Sequence, residues 1–157
     1  MMEFVYAYAY FVLYAFLGWV CEDLYCGIPA KKFINRGFFY GPYCPIYGVG
    51  ALLVLYPLLF VKDYPILVFI LGVIITSTLE YITSWVMEIL FKTRWWDYSE
   101  RFMNINGRVC LLNSTLFGIM SIVVVYIIHP VIQDIVLDIP LTALMSFLSA
   151  FTIGFGI

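Results

Sequence analysis

Charge is scarce in this chain. Lysine, arginine, aspartate and glutamate together make up 11% of its 157 residues, where a water-soluble domain uses about 25%. So few charges cannot cover a surface that faces water on all sides, and the mean hydropathy of +1.01 agrees. The composition therefore describes an integral membrane protein. It excludes a secreted disulfide scaffold, a nucleic-acid binder with a basic face and a disordered tail. Histidine occurs once, at His129, which leaves zinc and histidine-activated nucleophiles without support. No Walker-type glycine spacing is present, so nucleotide binding by this chain is unsupported. No metal and no cofactor is expected.

Long apolar runs are what the chain has instead. Hydrocarbon about 30 Å thick takes about 20 helical residues to cross, and residues 4–21, 44–61, 65–91, 110–128 and 139–157 reach or approach that length. The expected fold is all-α, a polytopic membrane bundle of about five helices in one transmembrane domain. The first run lacks a basic flank and a small-residue cleavage site and continues into Glu22 and Asp23, so it is expected to remain in the mature protein. The last run ends at Ile157 without a polar flank, which reads as a truncation, the alternative being a fifth helix finished by a partner.

Basic residues set the orientation. Lys31, Lys32 and Arg36 follow the first run, and Lys92, Arg94, Arg101 and Arg108 follow the third; only Lys62 lies elsewhere. By the positive-inside rule both basic loops are cytoplasmic and the N-terminus is outside. Cys21, Cys26, Cys44 and Cys110 then sit at the cytoplasmic ends, in a reducing compartment where no disulfide is expected. Between the fourth and fifth runs, Val131, Ile132, Ile135 and Val136 are set against Asp134 and Asp138. That pattern predicts a separate short helix, residues 129–138, lying in the outer interface.

A shift of 66 residues aligns Trp19-Val20-Cys21-Glu22-Asp23-Leu24-Tyr25 with Trp85-Val86-Met87-Glu88-Ile89-Leu90-Phe91, with four identities in seven. The same shift, without a gap, puts Gly41 on Gly107 and Cys44 on Cys110. An internal duplication is inferred, with one helix-loop-helix unit over about 4–61, a second over about 65–128, and an additional helix over about 139–157. Both units would start outside and turn in the cytoplasm, a parallel repeat. Glu22 and Glu88 become equivalent. They either face each other or mark the helix-water boundary.

Polar residues cluster on the third run, where Thr76, Glu80, Ser84 and Glu88 recur every fourth residue and share a helix face. A charged side chain inside a span costs about 2.5 to 3.5 kcal/mol on insertion scales, so this face should turn to protein or water. The simpler alternative is a glutamate bonded to a neighbouring helix as glue. The first run has its own column, Tyr6, Tyr10, Tyr14, Gly18 and Glu22, which favours helix packing.

Both basic loops add polar groups. Asn35 and Arg36 precede a glycine- and proline-interrupted aromatic stretch through Gly48 at a helix start, a site for an anion or lipid phosphate or else an aromatic anchor. Arg94-Trp95-Trp96-Asp97-Tyr98, then Asn104, Asn106, Gly107 and Arg108, crowd the second, with Asn113 just inside the fourth run. Tryptophan and tyrosine favour the headgroup level. The arginines, Asp97 and the asparagines are left over, and they imply a polar cavity open to the cytoplasm. Its candidate lining is Glu22, Asn35, Arg36, Glu80, Ser84, Glu88, Arg94, Asp97, Asn106 and Arg108.

Phe16-Leu17-Gly18-Trp19 with Glu22, Asn35-Arg36-Gly37 through Gly41-Pro42-Tyr43-Cys44-Pro45-Ile46-Tyr47-Gly48, Leu79-Glu80-Tyr81 with Glu88, Arg94-Trp95-Trp96-Asp97-Tyr98-Ser99 and Asn106-Gly107-Arg108-Val109-Cys110-Leu111 together resemble the CmpB-like family of bacterial membrane proteins, labelled ABC-transporter type IV permeases. The resemblance spans about residues 16 to 118, departs from the family at Phe117, where a tryptophan is expected, and implies a permease-like, multi-pass protein of the bacterial cytoplasmic membrane. Its implied partners are membrane lipids, a separate ATPase subunit and further copies of itself; no nucleic acid is implied. Two other classes stay open: an intramembrane enzyme acting on a lipid headgroup, and a non-catalytic binding or assembly subunit. The residues favour a protein that is not an enzyme.

Overall fold

Inside hydrocarbon each backbone N–H must find its acceptor within its own segment, and the apolar runs accordingly become helices. A computed structural model describes residues 2–32 and 41–155, the side chains of Tyr25, Cys26, Pro29 and Phe155 excepted. In chain order the helices are α1 (Met2–Ala30), α2 (Pro45–Leu59), α3 (Pro65–Phe91), α4 (Leu111–Val123), α5 (His129–Asp138) and α6 (Leu141–Phe155). The stretches Met2–Leu24, Pro65–Phe91 and Leu111–Asp138 are long and apolar enough to cross a membrane; Pro45–Leu59 and Leu141–Gly154 are shorter apolar helices. The protein is an all-α membrane protein, and no strand occurs among the described residues.

The helix ends follow local chemistry. α2 and α3 open on Pro45 and Pro65, where the missing N–H would have had no intrahelical partner anyway. α3 stops at Lys92, which caps it in the left-handed conformation with φ 54°. Lys31, just past α1, has φ 50°. α1 therefore runs beyond its apolar part through Glu22 and Asp23, because a helix ends at a stop signal and not at the edge of the hydrocarbon.

The fourth run differs from expectation. Residues 129–138 are helical, but they continue α4 through a π-helical stretch, Val124–Ile128, and do not form a separate element. Pro130 supplies a physical cause. Its ring would strike the carbonyl four residues earlier in a regular α-helix, and a widened turn just before it relieves that clash. The His129 N–H reaches back five residues to the Val124 carbonyl.

The chain divides into two compact units, Met1–Leu52 with Pro130–Ile157, and Leu53–His129. In the first, Gly18 lies where any side chain would collide with the Tyr47 ring, and the Cys44 N–H donates to the Ala15 carbonyl at 2.9 Å. α6 joins α1 through Tyr8 and Thr152, whose hydroxyls are 2.8 Å apart. Ala15 and Val136 are fully buried.

In the second unit, α3 and α4 pack through small residues. A Cβ on Gly72 would lie 2.6 Å from Ser121, and one on Gly118 would lie 2.5 Å from Val73. The Ser77 hydroxyl donates to Ser114 Oγ at 2.7 Å. Apolar side chains gain little from leaving lipid for protein, so close backbone approach and interhelical hydrogen bonds hold such a pair. Thr76 spends its hydroxyl on the Gly72 carbonyl of its own helix, at 2.7 Å.

Candidate functional site

The loop between α3 and α4 folds back on α3. Its tip is Asn106-Gly107, with φ 54° and 68°, closed by the Arg108 N–H on the Ile105 carbonyl at 3.0 Å. Two successive positive φ values are the signature of a type I′ turn, which Asn-Gly adopts more readily than any other pair. The returning strand of chain is fixed by the Ile105 N–H on the Val109 carbonyl at 3.0 Å, the Tyr98 N–H on the Gly107 carbonyl at 2.7 Å, and Trp96 Nε1 on the Arg108 carbonyl at 3.0 Å. These bonds set the directions of Arg94, Tyr98 and Arg108.

Arg108 reaches the exposed end of the α3 polar face. Its Nη1 donates to Ser84 Oγ at 3.2 Å and its Nη2 to Glu88 Oε2 at 2.5 Å. The guanidinium carbon lies 5.7 Å from the centre of the Tyr81 ring, within range of cation–π attraction. The Arg108 side chain is 11% exposed, against 36% for Glu88. Arg94, more exposed, makes longer contacts, Nη2 to Glu88 Oε2 and Nη1 to Asp97 Oδ1, both at 3.5 Å. Asn106 Nδ2 donates to the Tyr81 hydroxyl at 2.8 Å.

Asp97 belongs to this network through Ser99, whose Oγ and backbone N–H donate to Oδ1 at 2.5 and 2.9 Å. The Ser99 hydroxyl, then its N–H, then Arg94 hold the Asp97 carboxyl below the usual range. Gly107 makes the fit possible, since a side chain there would strike Asp97 Oδ1 and Ser99 Oγ.

Glu80 forms a second, deeper polar point on α3. Tyr98 Oη donates to its Oε1 at 3.3 Å, while Oε2 is buried without a hydrogen-bond partner. No lysine, arginine or histidine among the described residues pairs with it within 4.0 Å. Burial first, and then the neighbouring Glu80 charge, push the Tyr98 phenol up, so it stays a proton donor.

Six predicted residues thus meet in one network of the second unit: Ser84, Glu88, Arg94, Asp97, Asn106 and Arg108. Glu80 stands apart with Tyr98. Glu22, in the first unit, accepts a hydrogen bond from the Tyr47 hydroxyl of α2. Asn35 and Arg36 lie outside the described residues. The sequence reading did not single out Tyr98, Tyr81, Ser99 or Tyr47 as site residues. The Asn106-Gly107 pair was the available signal, because the turn it forms presents the Gly107 carbonyl to the Tyr98 N–H. Cys21, Cys44 and Cys110 are not in disulfides, and no group of three or more metal-ligating side chains occurs among the described residues.

Helices of this length and composition, with ionisable groups gathered on one long apolar helix and its loop, define a helical membrane protein with a polar cluster. Residues 9–157 match the family described as "Putative ABC-transporter type IV", and the chain belongs to that family. No curated protein and no solved structure matches it.

Proposed function

We infer that the chain is the permease-like membrane component of a transport system, multi-pass in the bacterial cytoplasmic membrane, with its polar site open to the cytoplasm. ATP hydrolysis is supplied by a separate subunit. Glu80 takes up a proton or cation, and Arg94 and Arg108 recognise an anionic or zwitterionic group. The observation that carries this reading is Glu80 itself, a carboxylate in an apolar spanning helix with one oxygen on Tyr98 and the other buried and unbonded. A glutamate kept only as glue would satisfy both oxygens, since an unmade buried bond costs about 1–3 kcal/mol.

The reading includes the duplication. α2 and α4 begin at Pro45 and Leu111, 66 residues apart like the sequence repeat. Gly48 meets Phe11 in the first unit, and Ser114 meets Ser77 in the second, the same pair of positions under that shift.

The test is gentle purification from the native membrane followed by native mass spectrometry and assay of Glu80→Gln. A stoichiometric ATPase subunit and a loss of transport with normal assembly are expected. A protein that carries no ATPase, and whose Glu80→Gln form loses yield and assembly while turning over normally, would overturn the reading in favour of an assembly subunit.

A further inference from the structure

Two guanidiniums converge on a single oxygen. Glu88 Oε2 takes Arg108 Nη2 at 2.5 Å and Arg94 Nη2 at 3.5 Å. Neither arginine makes the two parallel N–H···O bonds of a matched guanidinium–carboxylate pair. The other contacts of Arg94 are equally long, 3.5 Å to Asp97 Oδ1 and 3.4 Å to the Asn106 carbonyl, and its side chain is 31% exposed. Arg108 is anchored between Ser84 and the Tyr81 ring. One arm is therefore fixed and the other is loosely held. A cleft of about 470 Å³ lies farther along the loop, lined by Asp97, Ser99, Glu100 and Arg101, and meets the pair through Asp97.

Charge and shape select the ligand. Asp97 is committed to Ser99, and Arg94, Arg108, Asp97 and Glu88 sum to zero. When Glu88 leaves, one positive charge is uncompensated, which matches a single anionic group. Glu88, tethered to α3, spends one oxygen on both guanidiniums, and a carboxylate directs its two oxygens within one plane. A phosphodiester carries its single charge on two non-bridging oxygens in a tetrahedral arrangement, and so gives each guanidinium an oxygen of its own.

We propose that Arg94 and Arg108 form a fork for a phosphodiester, and that the Glu88 carboxylate is the resident anion that the ligand displaces. The proposal deepens the transport reading and rests on it for the role of this loop as the substrate-facing surface. A phosphodiester is offered both by a phospholipid headgroup and by a soluble metabolite, and the experiment separates them.

The full chain, purified in a maltoside detergent, is titrated calorimetrically with glycerophosphocholine and with dihexanoylphosphatidylcholine. The expected result is binding that tightens about tenfold in Glu88→Gln, where the competing anion is gone, and weakens about tenfold in Arg94→Gln, whose exposed side chain can be lost without unfolding the loop. Comparable affinity for both probes assigns a soluble phosphodiester, and binding of the acylated probe alone assigns a lipid. No binding of either probe, or affinity that Glu88→Gln leaves unchanged or weakens, overturns the fork. If the fork fails while Glu80→Gln still abolishes transport, the transport reading stands; if Glu80→Gln is silent while the fork binds, the reverse holds.

Discussion

Glu22 and Glu88 stand 66 positions apart in aligned sequence, yet each is held in a different way. In the first unit the partner is a neutral phenol, Tyr47, on the next helix. In the second the partners are two guanidiniums from the loop, Arg94 and Arg108. The difference lies in where the donor is rooted. Tyr47 sits on α2 against Gly18, so its bond comes with helix packing. Arg108 sits just past the Asn106-Gly107 turn, so its bond depends on the loop holding its shape. A carboxylate bound by a packed phenol is a structural fixture, whereas one bound by loop arginines can exchange partners.

This contrast can be broken at four points. The largest effect is expected from Gly72→Leu, which forces α3 off α4 where Ser121 is 2.6 Å from the added carbon; overpacking costs about 1–3 kcal/mol or more, and the melting midpoint in detergent should fall by several degrees. Gly154→Leu, with open space around it, should leave that midpoint unchanged and serves as the control.

Next comes Gly107→Ala, which places a side chain at φ 68° against Asp97 and Ser99. A cost of about 1 kcal/mol is expected from the backbone alone. Because the loop carries both arginines, phosphodiester binding should weaken with it while α1–α2 packing is untouched, measured by calorimetry and by thiol accessibility of Cys44. Tyr47→Phe, in contrast, should cost about 0.5–1.5 kcal/mol of stability and leave binding at Arg94 and Arg108 unaltered. Equal effects of the two substitutions on binding would erase the distinction between a structural and an exchangeable glutamate.

The smallest effect is a pH dependence of the loop. Asp97 has a depressed pKa in the folded protein, so its bonds to Ser99 contribute fully above the ordinary aspartate value of about 3.9 and are lost as pH falls through the lower, folded value. Fluorescence of Trp95 and Trp96 should report that transition. Ser99→Ala should move its onset upward, and an onset that stays in place would show that Ser99 does not hold the carboxylate.

Much of this was legible beforehand, for reasons that differ by residue. Glu80, Ser84 and Glu88 share a face because a helix repeats every 3.6 residues, and nothing outside α3 is needed to know it. The start of α2 at Pro45 is equally local. The extension of α1 to Ala30 was not legible in hydropathy, which measures where lipid ends and says nothing of where the hydrogen-bond ladder stops. Nor was the continuous helix from Leu111 to Asp138. The pattern of Val131, Ile132, Ile135 and Val136 against Asp134 and Asp138 suggested a separate helix, and the π-helical stretch joins it to α4 instead.

Membrane embedding, helix periodicity and the family were fixed by composition and local pattern, because the hydrocarbon penalises each polar group one at a time and so writes its constraint directly into the order of residues. Which donor each glutamate receives was settled only when the chain folded back. Tyr98 meets Glu80 across 18 residues and Arg108 meets Glu88 across 20, and both meetings depend on a single Asn-Gly turn whose consequence is a direction in space, a quantity that periodicity along one helix does not contain.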